Sequence, residues 1–273
     1  MHQTSTVVFC GVDALIPPRG KISPGFDEFT AALDHAGIPA VWVTARSRGQ
    51  MDDPRRRLDH SHPFIAEEGC GVYLPEGYFH LRPAKTVRLG RFTCIPIAEP
   101  QPAAREALDS LSEDSGVSVV TLRSLSARQV MQNSGLPLQD ADLARQRDFD
   151  ELFFFAGASE QDIERFVAEG RSRNLQLRQH GVLWSLAAGA SLNLCIRALS
   201  KLYERALRSH PAILGIATQE ESQELFAACD RAILLGHPAS DASGSPRPSK
   251  GREIPFPAPD TWDLVLAGLT ARS

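Results

Sequence analysis

The chain has 273 residues, 42% of them hydrophobic and 23% charged, the make-up of an ordinary globular protein with enough length for one large core or two small ones. A formal net charge of −4 supplies no field to draw in nucleic acid or an anionic membrane surface, and no apolar run reaches the roughly 20 residues needed to span a bilayer. The five cysteines, Cys10, Cys70, Cys94, Cys195 and Cys229, are scattered and form no CxxC pair, so they read as small buried hydrophobes in a reducing cytoplasm rather than as zinc ligands or a disulfide frame.

In chain order, residues 6–12 predict a strand, and 25–37 a helix whose Phe26, Phe29, Leu33 and Ala36 share one face and which Gly37 ends. Residues 38–45, IPAVWVTA, predict a second buried strand. This βαβ start implies a parallel sheet with a right-handed crossover. Residues 63–81 read as two short strands around glycine turns. The texture then changes. Residues 86–96 are strand-like, 102–116 a helix, 117–122 a strand, 126–135 and 138–147 short helices, 150–157 a strand, 159–173 a helix and 175–188 a strand pair. That is an α+β unit of ordinary domain size. The α/β pattern resumes with a helix at 191–207, a strand at 212–217, a helix at 222–230 and a strand at 231–236. Residues 238–259, rich in Pro, Ser and Gly, read as a loop, and 261–269 as a closing helix. The expected architecture is a parallel α/β core of residues 1–82 and 189–273 with an α+β cap inserted at 83–188. The opening segment MHQTSTVVFC has no basic region leading into an apolar one, so no secretion signal is expected.

Open parallel sheets bind ligands at the carboxyl ends of their strands. Two stretches lie at such ends: VVFCGVDALI (7–16) and the segment around Thr44–Arg48. Three further stretches share a pattern with them. FIAEEGCGVYLPEGYF (64–79), ARQRDFDELFFF (144–155) and HGVLWSLAAGAS (180–191), taken together and in order, resemble the mannosyl-3-phosphoglycerate phosphatases of the haloacid dehalogenase (HAD) superfamily, subclass IIB. The resemblance implies a Rossmann-like core with an inserted α+β cap.

It also implies a set of reactive positions. In that family the first strand ends in DxDGT, where the first Asp attacks phosphorus and holds magnesium and the second moves protons. Here Gly11 takes the nucleophile position and Asp13 retains the second acid. The motif-two hydroxyl matches Thr44, with Ala45 and Arg46 beside it. The clamp lysine falls at Leu192, after Ser191. The two motif-four acids fall at Thr218 and Ser222. The resemblance therefore implies a phosphatase scaffold with its reactive groups removed. Phosphoryl transfer needs an in-line nucleophile and cations on the equatorial oxygens, and magnesium needs several hard oxygen ligands.

Each remaining residue has two readings. Asp13 is a surviving proton carrier or a strand-end carboxylate capping backbone amides. Thr44 is an anion contact or a turn-forming hydroxyl. Arg46 and Arg48 replace the charge of magnesium and lysine or are solvated. Glu221 is a relocated metal ligand or, with Thr218, half of a capping box. Arg147 and Asp148 fall where the family carries an Arg-Glu pair near its substrate, and Arg147 would be a phosphate or carboxylate fork. Glu67, His180 and Trp184 read as turn and packing residues. The expectation is a non-hydrolytic protein without a cofactor that binds a phosphorylated or acidic small molecule or a protein partner. The alternative is a magnesium-dependent sugar-phosphate phosphatase using Asp13 and Glu221.

Overall fold

The computed structural model describes residues 5–19, 21–80, 83–236 and 251–270. The first half of the core comprises β1 (Thr6–Gly11), α1 (Phe26–His35), β2 (Ala40–Val43), α2 (Asp52–Arg57), β3 (Phe64–Ala66), β4 (Gly71–Leu74), β5 (Val87–Leu89) and β6 (Phe92–Pro96). The inserted unit holds α3 (Gln101–Ser115), β7 (Val119–Thr121), α4 (Ala127–Ser134), α5 (Leu138–Ala144), β8 (Glu151–Phe155), α6 (Glu160–Ser172), β9 (Leu175–His180) and β10 (Leu183–Ala188). The core resumes with α7 (Leu192–Leu207), β11 (Ala212–Thr218), α8 (Gln219–Ala227), β12 (Arg231–Gly236), β13 (Gly251–Pro255) and α9 (Thr261–Thr270).

Two sheets result. The large one runs β13-β12-β11-β1-β2-β3-β4-β6-β5, parallel from β13 to β3 and antiparallel beyond. The small antiparallel one runs β7-β8-β10-β9. Alternation along β1 divides the core. Val8 and Cys10 pack with α1 and α9 on one face, and Val7 and Phe9 pack with α7 on the other. β1 lies between β2 and β11, so its tip is at the centre of the sheet. The segment leading into α1 is held against α9, where Trp262 stacks on Phe29 and donates to the Pro24 carbonyl at 2.8 Å. Gly25, at φ 77°, is the residue beneath that indole, and a Cβ there would sit 2.7 Å from the ring.

Three expectations need correction. The cap boundary at residue 83 is too early, because β6 hydrogen-bonds to β4 and β5 to β6, so both extend the core sheet. The loop expected over 238–259 contains β13, which pairs in parallel with β12; residues 237–250 lie outside the described residues. The helix expected to start at 222 begins at Gln219. All five cysteines are buried and unbridged. Among the described residues no helix is long and apolar enough to cross a membrane.

Candidate functional site

A cleft of about 750 Å³ separates the tips of β1 and β2 from cap strand β9. Gly11, Asp13, Thr44 and Leu192 line its core side, and Arg178 and His180 its cap side. β1 ends at Gly11 on the face it shares with α7. The chain then turns so that the Asp13 carboxylate meets the end of β2. Thr44 donates its hydroxyl to Asp13 Oδ1, the Ala45 amide donates to Oδ2 at 2.7 Å, and Arg46 Nε donates to Oδ1 at 2.9 Å. Thr44 Oγ1 in turn accepts from the Arg46 amide at 3.1 Å. Asp13 therefore does cap a backbone amide, but on the neighbouring strand's loop rather than on its own turn. The Arg46 side chain is 9% exposed and that of Asp13 30%, so only the arginine half of this ion pair is shielded from water.

The cap reaches the core a second time, on the far side of this loop. Arg147 is not in the cleft. Its side chain is 3% exposed and forks onto Asp150, with Nε to Oδ1 at 2.5 Å and Nη2 to Oδ2 at 2.6 Å, while Nη2 also donates to the Ala45 carbonyl at 2.8 Å. Burial works against its charge, but Asp150 and Glu67 outweigh that and hold the guanidinium charged. Asp148 is also outside the cleft lining, accepting from Arg48 Nε at 3.0 Å and Tyr73 Oη at 2.8 Å. The expected ligand contacts at Arg147 and Asp148 are thus structural ties: the geometry of a fork is present, but a neighbouring carboxylate fills it.

Glu67 completes this junction. Its buried carboxylate accepts the amides of Asp148, Phe149 and Asp150 at 3.0, 2.8 and 3.0 Å. Burial, followed by repulsion from Asp150, pushes its pKa up to about 8 against the pull of Arg147 and these amides. Three successive residues with positive φ, Glu67 (51°), Glu68 (52°) and Gly69 (93°), turn the chain here. Glu67 and Glu68 store strain in this conformation. The turn aims Glu67 at the junction and Glu68 at the cleft, two adjacent acids with different surroundings.

Ser191 does not line the cleft; its hydroxyl caps α7 by accepting the Leu194 amide at 3.3 Å. Thr218 stands at the N-terminal cap of α8 with extended backbone. The side chains of Glu220, Glu221 and Ser222 lie outside the described residues, so the alternative metal pair of Asp13 and Glu221 lies there too. Trp184 packs edge-on against Phe155 in the cap. His180, expected as packing, lines the cleft with its Nε2 3.3 Å from Glu68 and 3.2 Å from Ser185 Oγ. Sequence reasoning missed Arg178 and Glu68 as cleft residues. The signal for the first was present in LQLRQH, where alternation sets Leu175 and Leu177 into the cap core and leaves Arg178 and His180 on the other face.

No family model matches the chain. It is 24% identical over 205 residues, 73% of each chain, to a glucosyl-3-phosphoglycerate/mannosyl-3-phosphoglycerate phosphatase from Methanococcoides burtonii. Its fold superposes on a protein from Bacteroides thetaiotaomicron described among the phosphatases of the HAD superfamily, with a TM-score of 0.58 and 15% identity over 92% of this chain and 90% of that one. It also superposes on a sugar phosphatase of HAD subclass IIB, with a TM-score of 0.53 and 12% identity over 84% of this chain and 94% of that one.

Proposed function

We propose that this chain, a protein of the haloacid dehalogenase superfamily with a subclass IIB cap, binds a small polar ligand bearing an acidic group in the cleft between cap and core, and does not hydrolyse a phosphate ester. The tip of β1 is the main support for this reading. Gly11 has no side chain to attack phosphorus. The one acid at the tip, Asp13, accepts from Thr44, Ala45 and Arg46, so both of its oxygens are engaged by the protein itself. Leu192 lines the cleft at the position where the resemblance expects a phosphate-clamping lysine.

HAD phosphatases use magnesium, and the described donors at this tip do not fit it. A divalent cation of this kind wants about six hard oxygens, one or two of them usually from carboxylates. At this tip the single carboxylate already neutralises a guanidinium. Among the described residues no three His, Cys, Asp or Glu side chains converge to hold a metal. Thr44, whose hydroxyl would donate to a phosphate, donates to Asp13 instead.

The test is phosphate release from a panel of sugar phosphates with magnesium present, mannosyl- and glucosyl-3-phosphoglycerate included. The wild-type chain is expected to release no more phosphate than its Asp13→Asn variant. Turnover by the wild type that disappears in Asp13→Asn overturns the proposal.

A further inference from the structure

The cap wall of the cleft carries the positive charge that the core wall lacks. Arg178 Nη2 donates to Glu224 of α8 at 2.5 Å, and its Nε lies 3.5 Å from Glu68. His180 Nε2 lies 3.3 Å from the same Glu68 oxygen. Two cations from the cap thus meet two carboxylates from the core across the opening. All four side chains reach solvent: Arg178 and Glu68 are each 24% exposed, His180 25% and Glu224 54%. Only Glu224 is open to water; Arg178, Glu68 and His180 are half-buried, so the Arg178–Glu224 pair is the one that solvent screens and that exchanges most readily. The guanidinium is a planar fork suited to an oxyanion, and His180 adds a second donor beside it.

We propose that Arg178 and His180 form an anion-binding pair for a phosphate or carboxylate group of the ligand, and that Glu68 and Glu224 are internal stand-ins which that group displaces. This inference rests on the reading above that a ligand enters the cleft, and adds where its acidic end lies. That end is on the cap wall, not at the strand tips, where Thr44 is engaged by Asp13 and Leu192 offers only an apolar surface. Displacing the stand-ins also removes three ion pairs that tie cap to core on this side, so binding and cap position are linked.

The charged groups around His180 are Glu68 and Arg178 in the cleft, and Arg147 and Asp150 behind it. Burial pulls the imidazole pKa down, but the hydrogen bond and charge of Glu68 outweigh that and raise it. His180 is therefore more protonated on the acid side of neutrality, where the anion is expected to bind more tightly.

The test is calorimetric titration of the chain with sulfate, and separately with acetate, whose own charges stay fixed over this range, near pH 6 and near pH 8.5. Both anions are expected to bind, about three- to tenfold more tightly at the lower pH, since one imidazole charge is gained there. Arg178→Ala is expected to weaken binding about tenfold or more, the loss of a charge-assisted fork. Glu224→Gln is expected to strengthen it by about two- to fivefold because an exposed competitor is removed, a gain that misfolding does not produce. Absence of saturable binding, or binding unchanged by Arg178→Ala, overturns the inference. Phosphate released from an ester counts against the function proposed above and is read in a separate assay.

Discussion

Two charge clusters join cap to core on either side of the strand tips, and adjacent glutamates belong one to each. In the first, Glu67, Arg147 and Asp150 are sealed inside the protein, each with several hydrogen bonds of 2.5–3.0 Å. In the second, Glu68, Arg178 and His180 are half-buried at the cleft and Glu224 is exposed at its edge, and they meet at up to 3.5 Å. The residue types are nearly the same; the difference is burial. A buried, fully bonded pair is costly to break because removing one partner strands the other's charge in low dielectric. An exposed pair is screened and gives way to any better-matched ion. One cluster therefore fixes the cap, and the other is the one proposed to give way to a ligand.

The contrast can be broken most severely at Arg147. Arg147→Ala leaves Asp150 and Glu67 buried without their cation and is expected to cost about 3–5 kcal/mol, read as a lowered midpoint in urea unfolding. Next comes the turn that sends the two glutamates apart. Gly69→Ala must hold an L side chain at φ 93° with its Cβ 2.5 Å from the Leu192 amide nitrogen. The expected cost is about 1–3 kcal/mol, the usual strain at such a position.

A subtler sharpening uses pH. The folded pKa of Glu67 is raised from 4.5 to about 8, so between these values the folded chain holds a proton that the unfolded chain releases. Its contribution to stability is full below the lower value and falls as pH rises towards the upper one. Thermal melts are expected to show this decline, and Glu67→Gln is expected to flatten it. The smallest effect falls in the second cluster: Arg178→Ala is expected to change stability by about 0–1 kcal/mol, the small value that marks an exchangeable pair.

Most of the fold was legible because burial in a parallel sheet leaves long apolar runs and helix faces that periodicity detects. β1, β2, α1 and the cap order follow from that pattern. β13 was not, because GREIP has no apolar run and is a strand only by pairing with β12. The β5–β6 hairpin shows the same limit: its residues read as strand, but only its partner β4 assigns it to the core. At the site, Asp13 and Thr44 were legible as strand-end groups. Arg147 has the chemistry of an anion fork, and nothing in its spacing reveals that Asp150 is folded beneath it. Glu68 and Arg178 lie 110 positions apart, and only the folded chain brings them together.

In the reading proposed above, Arg46 rather than a divalent ion neutralises Asp13. Titration with manganese, followed by electron paramagnetic resonance of the free ion, tests it directly. The account predicts that the chain takes up no manganese that depends on Asp13, so that wild type and Asp13→Ala give the same free-ion signal at millimolar metal. One equivalent bound by the wild type and lost in Asp13→Ala would contradict it.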